Sequence, residues 1–174
     1  MKEYNSVSEP FLADVRAVVG DANVFTEPEK LEQYKTDEEY DPRRFRVPEA
    51  VVRPANAEEI AAVVKLCNKY NVPLTVRSGG TSLADGAIAV CGGVVLLMGR
   101  LNKIIEMNTE AMYVVAEAGV RTVDIQKMAN EAGYLYAGDP CSAESCLIGG
   151  NLATNAGGSK AVRYGVTRNQ VYSL

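Results

Sequence analysis

VVRPANAEEIAAVVKLCNKYNVPLTVRSGGTSL, residues 51–83, decides the fold class. Ala50–Pro54 reads as a short strand ended by proline. Asn56 then caps a helix, and Glu59 three residues later completes a capping-box-like pair. The helix runs to about Tyr70, with Ile60, Val63, Val64 and Cys67 as its buried face. Asn71 closes it. Pro73–Val76 returns as a buried strand and runs straight into the glycine turn Arg77–Leu83. Strand, helix and strand in this order imply a parallel pair joined by a right-handed crossover.

The turn has the chemistry of an anion site. Gly79 and Gly80 bare the backbone, so successive N–H groups can converge on one concavity. Ser78, Thr81 and Ser82 add neutral hydroxyl donors. A second stretch, DPCSAESCLIGGNLATNAGG at 139–158, is poor in bulk and holds the pairs Gly149-Gly150 and Gly157-Gly158. Together the two read as halves of a nucleotide-cofactor cradle; the alternative is a set of tight turns between strands. Two familiar glycine motifs are excluded. A Rossmann fingerprint needs G-x-G, and no two glycines here are separated by a single residue. A P-loop needs glycine directly before Lys-Ser/Thr, but Ser159 intervenes and Ala161 follows Lys160.

Outward from these segments, Phe11, Leu12, Val15, Val18 and Val19 predict a helix over 8–19, with Ser8 as its cap and Gly20 as its stop. A short helix is expected over 28–34. Residues 34–48 read as an irregular connection, with Asp37-Glu38-Glu39 in a solvated loop and no assigned role for Arg43, Arg44 and Arg46. Val94–Met98 is a buried strand. Ile104–Met107 and Met112–Ala116 suggest a hairpin. A further helix follows Gly119, with Val123, Met128, Ala129 and Ala132 as its apolar stripe and Gly133 as its stop. Leu135–Ala137 is a candidate strand. The order is α+β.

The composition is that of a globular domain: 47% hydrophobic, 23% charged and a net charge of −4 over 174 residues. The acidic balance argues against nucleic acid as a partner. No apolar stretch approaches the roughly 20 residues of a membrane span, and no signal peptide is visible, so a cytoplasmic location is expected. With no histidine in the chain, a Ser-His-Asp or Cys-His nucleophile system is excluded. Cys141 and Cys146 have no metal-site spacing, so no metal is expected.

The collinear order of 51–83, of GGVVLLMGRLNKIIEMNTEAMYVVAEAGV at 92–120 and of GDPCSAESCLIGGNLATNAGGSKAVRYG at 138–165 resembles the FAD-binding domain of the vanillyl-alcohol oxidase/p-cresol methylhydroxylase (PCMH) flavoproteins. Within it, the chain is most similar to the D-lactate dehydrogenase and glycolate oxidase D-subunit group. The resemblance implies a PCMH-type FAD-binding domain over 49–174, comprising an N-terminal βαβ subdomain and part of a second mixed-sheet subdomain. Residues 1–48 form a helical and irregular lead-in. It implies that Ser78, Gly79, Gly80, Thr81 and Ser82, with Gly86 and Ala87, wrap the FAD pyrophosphate. Pro140, Cys141, Ser142 and Cys146 would run beside the flavin and ribityl chain. Gly149, Gly150, Thr154, Asn155, Ala156 and Gly157 would turn back along the dinucleotide. FAD attached through a histidine is excluded, so non-covalent FAD is expected.

The resemblance also implies that the FAD domain is truncated at Leu174. A cap domain carrying the catalytic base and the contacts to a small 2-hydroxy acid would lie beyond it. The expected partners are that substrate and an electron acceptor such as an electron-transfer protein, with a homo-oligomer also possible for the fold. The rival readings are a stand-alone nucleotide-binding module without catalysis and another flavoprotein oxidase of the same fold.

Overall fold

The structure is a computed structural model that describes residues 3–39 and 41–174. It divides into two compact units, Met1–Arg100 and Leu101–Leu174.

In the first unit the predicted N-terminal helix forms as α1 (Glu9–Val19), burying Phe11, Leu12, Val15 and Val19. Strand β1 (Val24–Phe25) follows, then α2 (Pro28–Leu31) extended by a 3-10 turn at Glu32–Tyr34. Strand β2 (Ala50–Val52) leads into α3 (Ala57–Tyr70), then β3 (Leu74–Arg77) and β4 (Val94–Leu97). The local signals around α3 act as expected. The Asn56 side chain accepts from the Glu59 N–H at 2.8 Å, and the Glu59 carboxylate reaches back to the Ala55 N–H at 2.7 Å. Asn71 ends the helix in the left-handed conformation, φ 54°.

The strands form one mixed sheet in the order β1-β2-β4-β3. β2 and β3 are parallel, as the crossover implies, but β4 inserts between them and pairs with both. This makes β2 and β4 the buried centre: Ala50, Val51, Val52, Val94 and Val95 are fully buried. Such uniformly apolar β-branched runs suit strands covered on both faces. It also moves β3 to an edge, so Val76 is exposed where a buried strand was expected. Leu31, Val51, Ala89 and Val95 make one core cluster, flanked by Phe25, Tyr34 and Leu97.

The described residues of the lead-in, 3–39 and 41–48, belong to this unit. β1 pairs antiparallel with β2. Helix α1 lies on α3, where Phe11 meets the Tyr70 ring edge-on at 5.6 Å and Asp14 accepts from the Tyr70 hydroxyl at 2.8 Å. On α3, Val63 and Cys67 are buried, but Val64 is exposed, contrary to the expected stripe.

The second unit begins with the hairpin of β5 (Ile104–Asn108) and β6 (Tyr113–Ala116), antiparallel with a register shift between Ile104 and Glu106. Helix α4 (Thr122–Glu131) buries Thr122, Ile125 and Ala129. Ala129 is the one member of the expected stripe that is buried. Residues 135–137 form no strand. Helices α5 (Ile148–Thr154) and α6 (Ala161–Tyr164) complete the unit.

Candidate functional site

In the first unit the expected residues lie on the loop that leaves the edge strand β3. Arg77, the last residue of that strand, turns inward and is 9% exposed. Its Nη1 donates to the Thr36 carbonyl at 2.7 Å and to the Ala87 carbonyl at 3.3 Å. The guanidinium lies over the Tyr34 ring, 5.7 Å from its centroid. Gly80 sits against it: φ is +71°, and a Cβ there would lie 2.6 Å from Arg77 Cζ. Only glycine meets both conditions without displacing the guanidinium.

The neighbouring segment corrects the expectation of a solvated acidic loop. Asp37 is 7% exposed. Its Oδ1 accepts from the Glu39 N–H at 3.0 Å, while Oδ2 has no hydrogen-bond partner among the described residues. Burial lowers the pKa of Arg77, and the charge of Asp37 is the leading influence opposing that shift. Glu38 N–H donates to the Ser82 carbonyl at 3.1 Å, tying the segment to the glycine turn. Arg44 pairs with Asp41 and Asp85, Arg43 pairs with Asp41, and Arg46 donates to the Arg43 and Phe45 carbonyls. Among the described residues, Arg43 and Arg46 bond within their own loop, while Arg44 also ties that loop to Asp85, just after the glycine turn.

Between these anchors lie the amides of Ser78, Gly79, Gly80, Thr81 and Ser82. None donates to an acceptor among the described residues. The Ser82 hydroxyl accepts from the Ala84 N–H at 3.1 Å. Gly86 is exposed and Ala87 buried. Five successive N–H groups on a loop pinned at both ends fit an anion bound by neutral donors.

In the second unit the stretch 139–158 is a closed loop that contains a helix. Asp139 is its clasp. Its carboxylate accepts from Ser159 Oγ at 2.8 Å and from Lys160 Nζ at 3.0 Å, and Gln126 Nε2 donates to it at 3.3 Å. These bonds, Ser159 first, hold the Asp139 carboxyl below its ordinary pKa. Residues 140–147 run back along the start of α4. Thr122 N–H donates to the Cys146 carbonyl at 3.2 Å and Val123 N–H to the Ala143 carbonyl at 3.1 Å. The loop thereby caps donors that a helix N-terminus leaves without partners.

Gly149 and Gly150 lie in the first turn of α5, where turns were expected. Close approach explains Gly149, whose N–H donates to the Ala118 carbonyl at 2.8 Å. A Cβ at Gly149 would lie 2.8 Å from that same oxygen. Asn155 ends the helix at φ +52°, and its Oδ1 accepts from the Arg168 N–H at 2.9 Å. Thr154 Oγ1 donates to the Gly150 carbonyl at 3.0 Å. The Ala156 carbonyl accepts from Thr167 through N–H at 3.0 Å and Oγ1 at 2.8 Å. These polar groups of Thr154–Ala156 are therefore partly committed to the fold. Cys141 is exposed and Cys146 is buried. The amides of Cys141, Ser142, Gly157 and Gly158 have no acceptor among the described residues.

A buried polar cluster here was not read from the sequence. Asn151 Nδ2 donates to Thr122 Oγ1 at 2.5 Å, and Thr122 Oγ1 lies 3.2 Å from Cys146 Sγ. A cleft of about 400 Å³ beside Pro140 and Cys141 is lined by Gln126, Asp139, Glu144 and Ser159. An apolar groove of about 900 Å³ is lined by residues including Met107, Tyr113, Ile125, Tyr136, Ile148 and Leu152, and by none of the residues expected to bind a cofactor. Among the described residues, no group of three or more Cys, Asp or Glu is placed to hold a metal ion, and no helix is long and apolar enough to cross a membrane.

Comparison with known proteins matches residues 48–174 to the family described as the FAD binding domain. The chain is 41% identical over 127 residues to a D-lactate dehydrogenase of Anaerostipes hadrus, covering 73% of this chain and 26% of that protein. It is 36% identical to glycolate oxidase subunit GlcD of Bacillus subtilis (strain 168), covering 76% of this chain and 28% of that protein. It is also 36% identical to a D-2-hydroxyglutarate dehydrogenase of Stutzerimonas stutzeri (strain A1501), covering 97% of this chain and 36% of that protein. The chain thus spans about a quarter to a third of the length of these relatives. Among solved structures, p-cresol methylhydroxylase matches with a TM-score of 0.71 at 27% identity, covering 86% of this chain and 30% of that one. An alkyldihydroxyacetonephosphate synthase shares the fold, with a TM-score of 0.80 at 22% identity, covering 94% of this chain and 35% of that one. By sequence and by fold, the chain belongs to the FAD binding domain family, within the vanillyl-alcohol oxidase/p-cresol methylhydroxylase flavoproteins.

Proposed function

We propose that the chain supplies FAD contacts to a flavin-dependent dehydrogenase or oxidase of small 2-hydroxy acids, of the D-lactate or glycolate type. The observation that carries this reading is the run of five amides at Ser78–Ser82 without an acceptor among the described residues. Backbone N–H groups bind a diphosphate without a dedicated counter-charge. Gly86 and Ala87 continue that contact. In the second unit, Pro140, Cys141, Ser142 and Cys146 contribute a second set of contacts, with Gly149, Gly150 and Thr154–Gly157. The free amides of Cys141, Ser142 and Gly157 are the donors there, together with the Ser142 hydroxyl. FAD is held non-covalently.

When bound, FAD supplies the hydride acceptor for the substrate α-carbon. The residues of this chain bind and orient the cofactor. The catalytic base, the substrate-carboxylate contacts and the docking of an electron acceptor belong to the rest of a longer, cytoplasmic protein, so the 174-residue chain alone turns over little or no substrate. The names of the relatives, a D-lactate dehydrogenase, a glycolate oxidase subunit and a D-2-hydroxyglutarate dehydrogenase, support the substrate class.

Two measurements test the reading. FAD is titrated into the apoprotein and followed by the visible flavin bands and by quenching of flavin fluorescence; a protein that takes up no FAD refutes the cofactor role. The full-length protein loaded with FAD is then mixed anaerobically with D-lactate, glycolate and D-2-hydroxyglutarate. Bleaching of the flavin bands by at least one is expected, and a spectrum unmoved by all three refutes the substrate class.

A further inference from the structure

We propose that Arg77 is a positioning residue for the Ser78–Ser82 amides: its buried guanidinium sets the shape of the turn that receives a diphosphate, and it is not itself a ligand of that anion. The proposal rests on the reading of this turn as the diphosphate contact and adds the device that shapes it.

Arg77 is the junction of three stretches of chain. One nitrogen bridges two carbonyls, Thr36 at 2.7 Å and Ala87 at 3.3 Å, from segments on either side of it in sequence. The flat face rests on Tyr34. The backbone folds over the guanidinium at Gly80, at the positive φ that only glycine adopts freely. The ends of the turn are fixed as well: the Arg77 carbonyl accepts from Met98 N–H and the Ser82 carbonyl from Glu38 N–H, each at 3.1 Å. Every one of these contacts acts on the turn's framework, and the five amides are left over. Asp37 is also buried, with one oxygen lacking a hydrogen-bond partner among the described residues, and its charge partly offsets the effect of burial on Arg77.

A flat guanidinium that rests on the Tyr34 ring and lies under Gly80 while one of its nitrogens bridges two carbonyls is a shape that lysine's tetrahedral ammonium cannot reproduce. This separates a strut from a counter-charge, since lysine keeps the charge and loses the flat group packed between Tyr34 and Gly80. The test is isothermal titration of the 174-residue chain with ADP and with adenosine, which lacks the diphosphate. Wild type is expected to bind ADP more tightly than adenosine. Arg77→Met and Arg77→Lys should both weaken ADP binding by about tenfold or more, the scale of a lost hydrogen bond to a charged group. Adenosine binding and the near-UV circular dichroism should stay unchanged.

If wild type does not prefer ADP, the diphosphate reading falls and the proposal with it. If wild type prefers ADP and Arg77→Lys binds ADP as wild type does, the side chain acts only as a charge and the proposal is overturned. Should Arg77→Met not fold, Gly80→Ala carries the test. It keeps the arginine but pushes the guanidinium aside, and undiminished ADP binding by a folded Gly80→Ala chain would overturn the strut.

Discussion

The Asp139 carbonyl occupies the space that a side chain on Gly158 would need. The two ends of the 139–158 loop therefore touch backbone to backbone. The obstacle is main chain, which cannot rotate out of the way as a side chain can. Gly158→Ala is expected to destabilise the protein by about 1–3 kcal/mol, the usual cost of overpacking, or more. That corresponds to roughly 2–4 °C per kcal/mol in the melting temperature of a chain this long. Gly99→Ala is the control, because a Cβ there meets nothing within 4 Å and its φ lies outside the left-handed region. It should leave the melting temperature unchanged or raise it slightly. Thermal melts of the two variants compare the same chemical change in closed and open surroundings.

The same clasp makes the loop sensitive to acid. Ser159, Lys160 and Gln126 bond the Asp139 carboxylate and lower its pKa in the folded chain. A group whose folded pKa is depressed contributes stability that is present above its unfolded value, about 3.9, and is lost as the pH falls through the folded value. Wild type should therefore lose the contribution of this clasp below about pH 4. Asp139→Asn should lack it at every pH, so the gap in urea midpoint between the two proteins should be widest near neutrality and close towards pH 3. A gap that stays constant with pH would show that the carboxylate charge is not what holds the loop.

Helix α3 allows a test of burial at adjacent positions. Val63 is fully buried, whereas Val64 is 37% exposed. Val63→Ala should cost about 2 kcal/mol, from lost transfer energy and the cavity it leaves. Val64→Ala should change stability by no more than about 0.5 kcal/mol. Urea unfolding of both variants checks the difference, and equal losses would contradict the packing described.

What the sequence made legible was local. Asn56, Glu59 and Asn71 mark the ends of α3 through bonds spanning three or four residues, so their types sufficed to read them. Asp37 was misread because its segment is held against distant chain, with the Thr36 carbonyl on Arg77 and the Glu38 N–H on Ser82, some forty residues later. The edge position of β3 depends on β4 inserting beside it, which no pattern within β3 records. Gly149-Gly150 read as a turn from composition alone. Its helix is docked on the chain before α4, through Ile148 N–H to the Val120 carbonyl and Gly149 N–H to the Ala118 carbonyl, both at 2.8 Å. The Asn151–Thr122–Cys146 cluster had one signal: an asparagine amid small residues, three positions after an isoleucine. That becomes meaningful only once the segment is known to be helical.

The four cysteines provide a readout of both the fold and the proposed cofactor contacts. Cys67 is buried and its thiol is pushed up to about 11 by burial, so little thiolate exists near neutral pH. Cys146 is buried against Thr122. Cys91 and Cys141 are exposed. Since the thiolate is the reactive form, iodoacetamide at pH 8 should label Cys91 and Cys141 first, leaving Cys67 and Cys146 unmodified until the chain is denatured. Peptide mass spectrometry over a time course resolves the four sites. Adding FAD before the reagent gives the decisive comparison. If Pro140–Cys146 contacts the cofactor, labelling of Cys141 should slow several-fold while that of Cys91 continues at its former rate. Equal rates with and without saturating FAD would remove Cys141 from the cofactor contacts and leave the Ser78–Ser82 assignment to stand or fall on its own test.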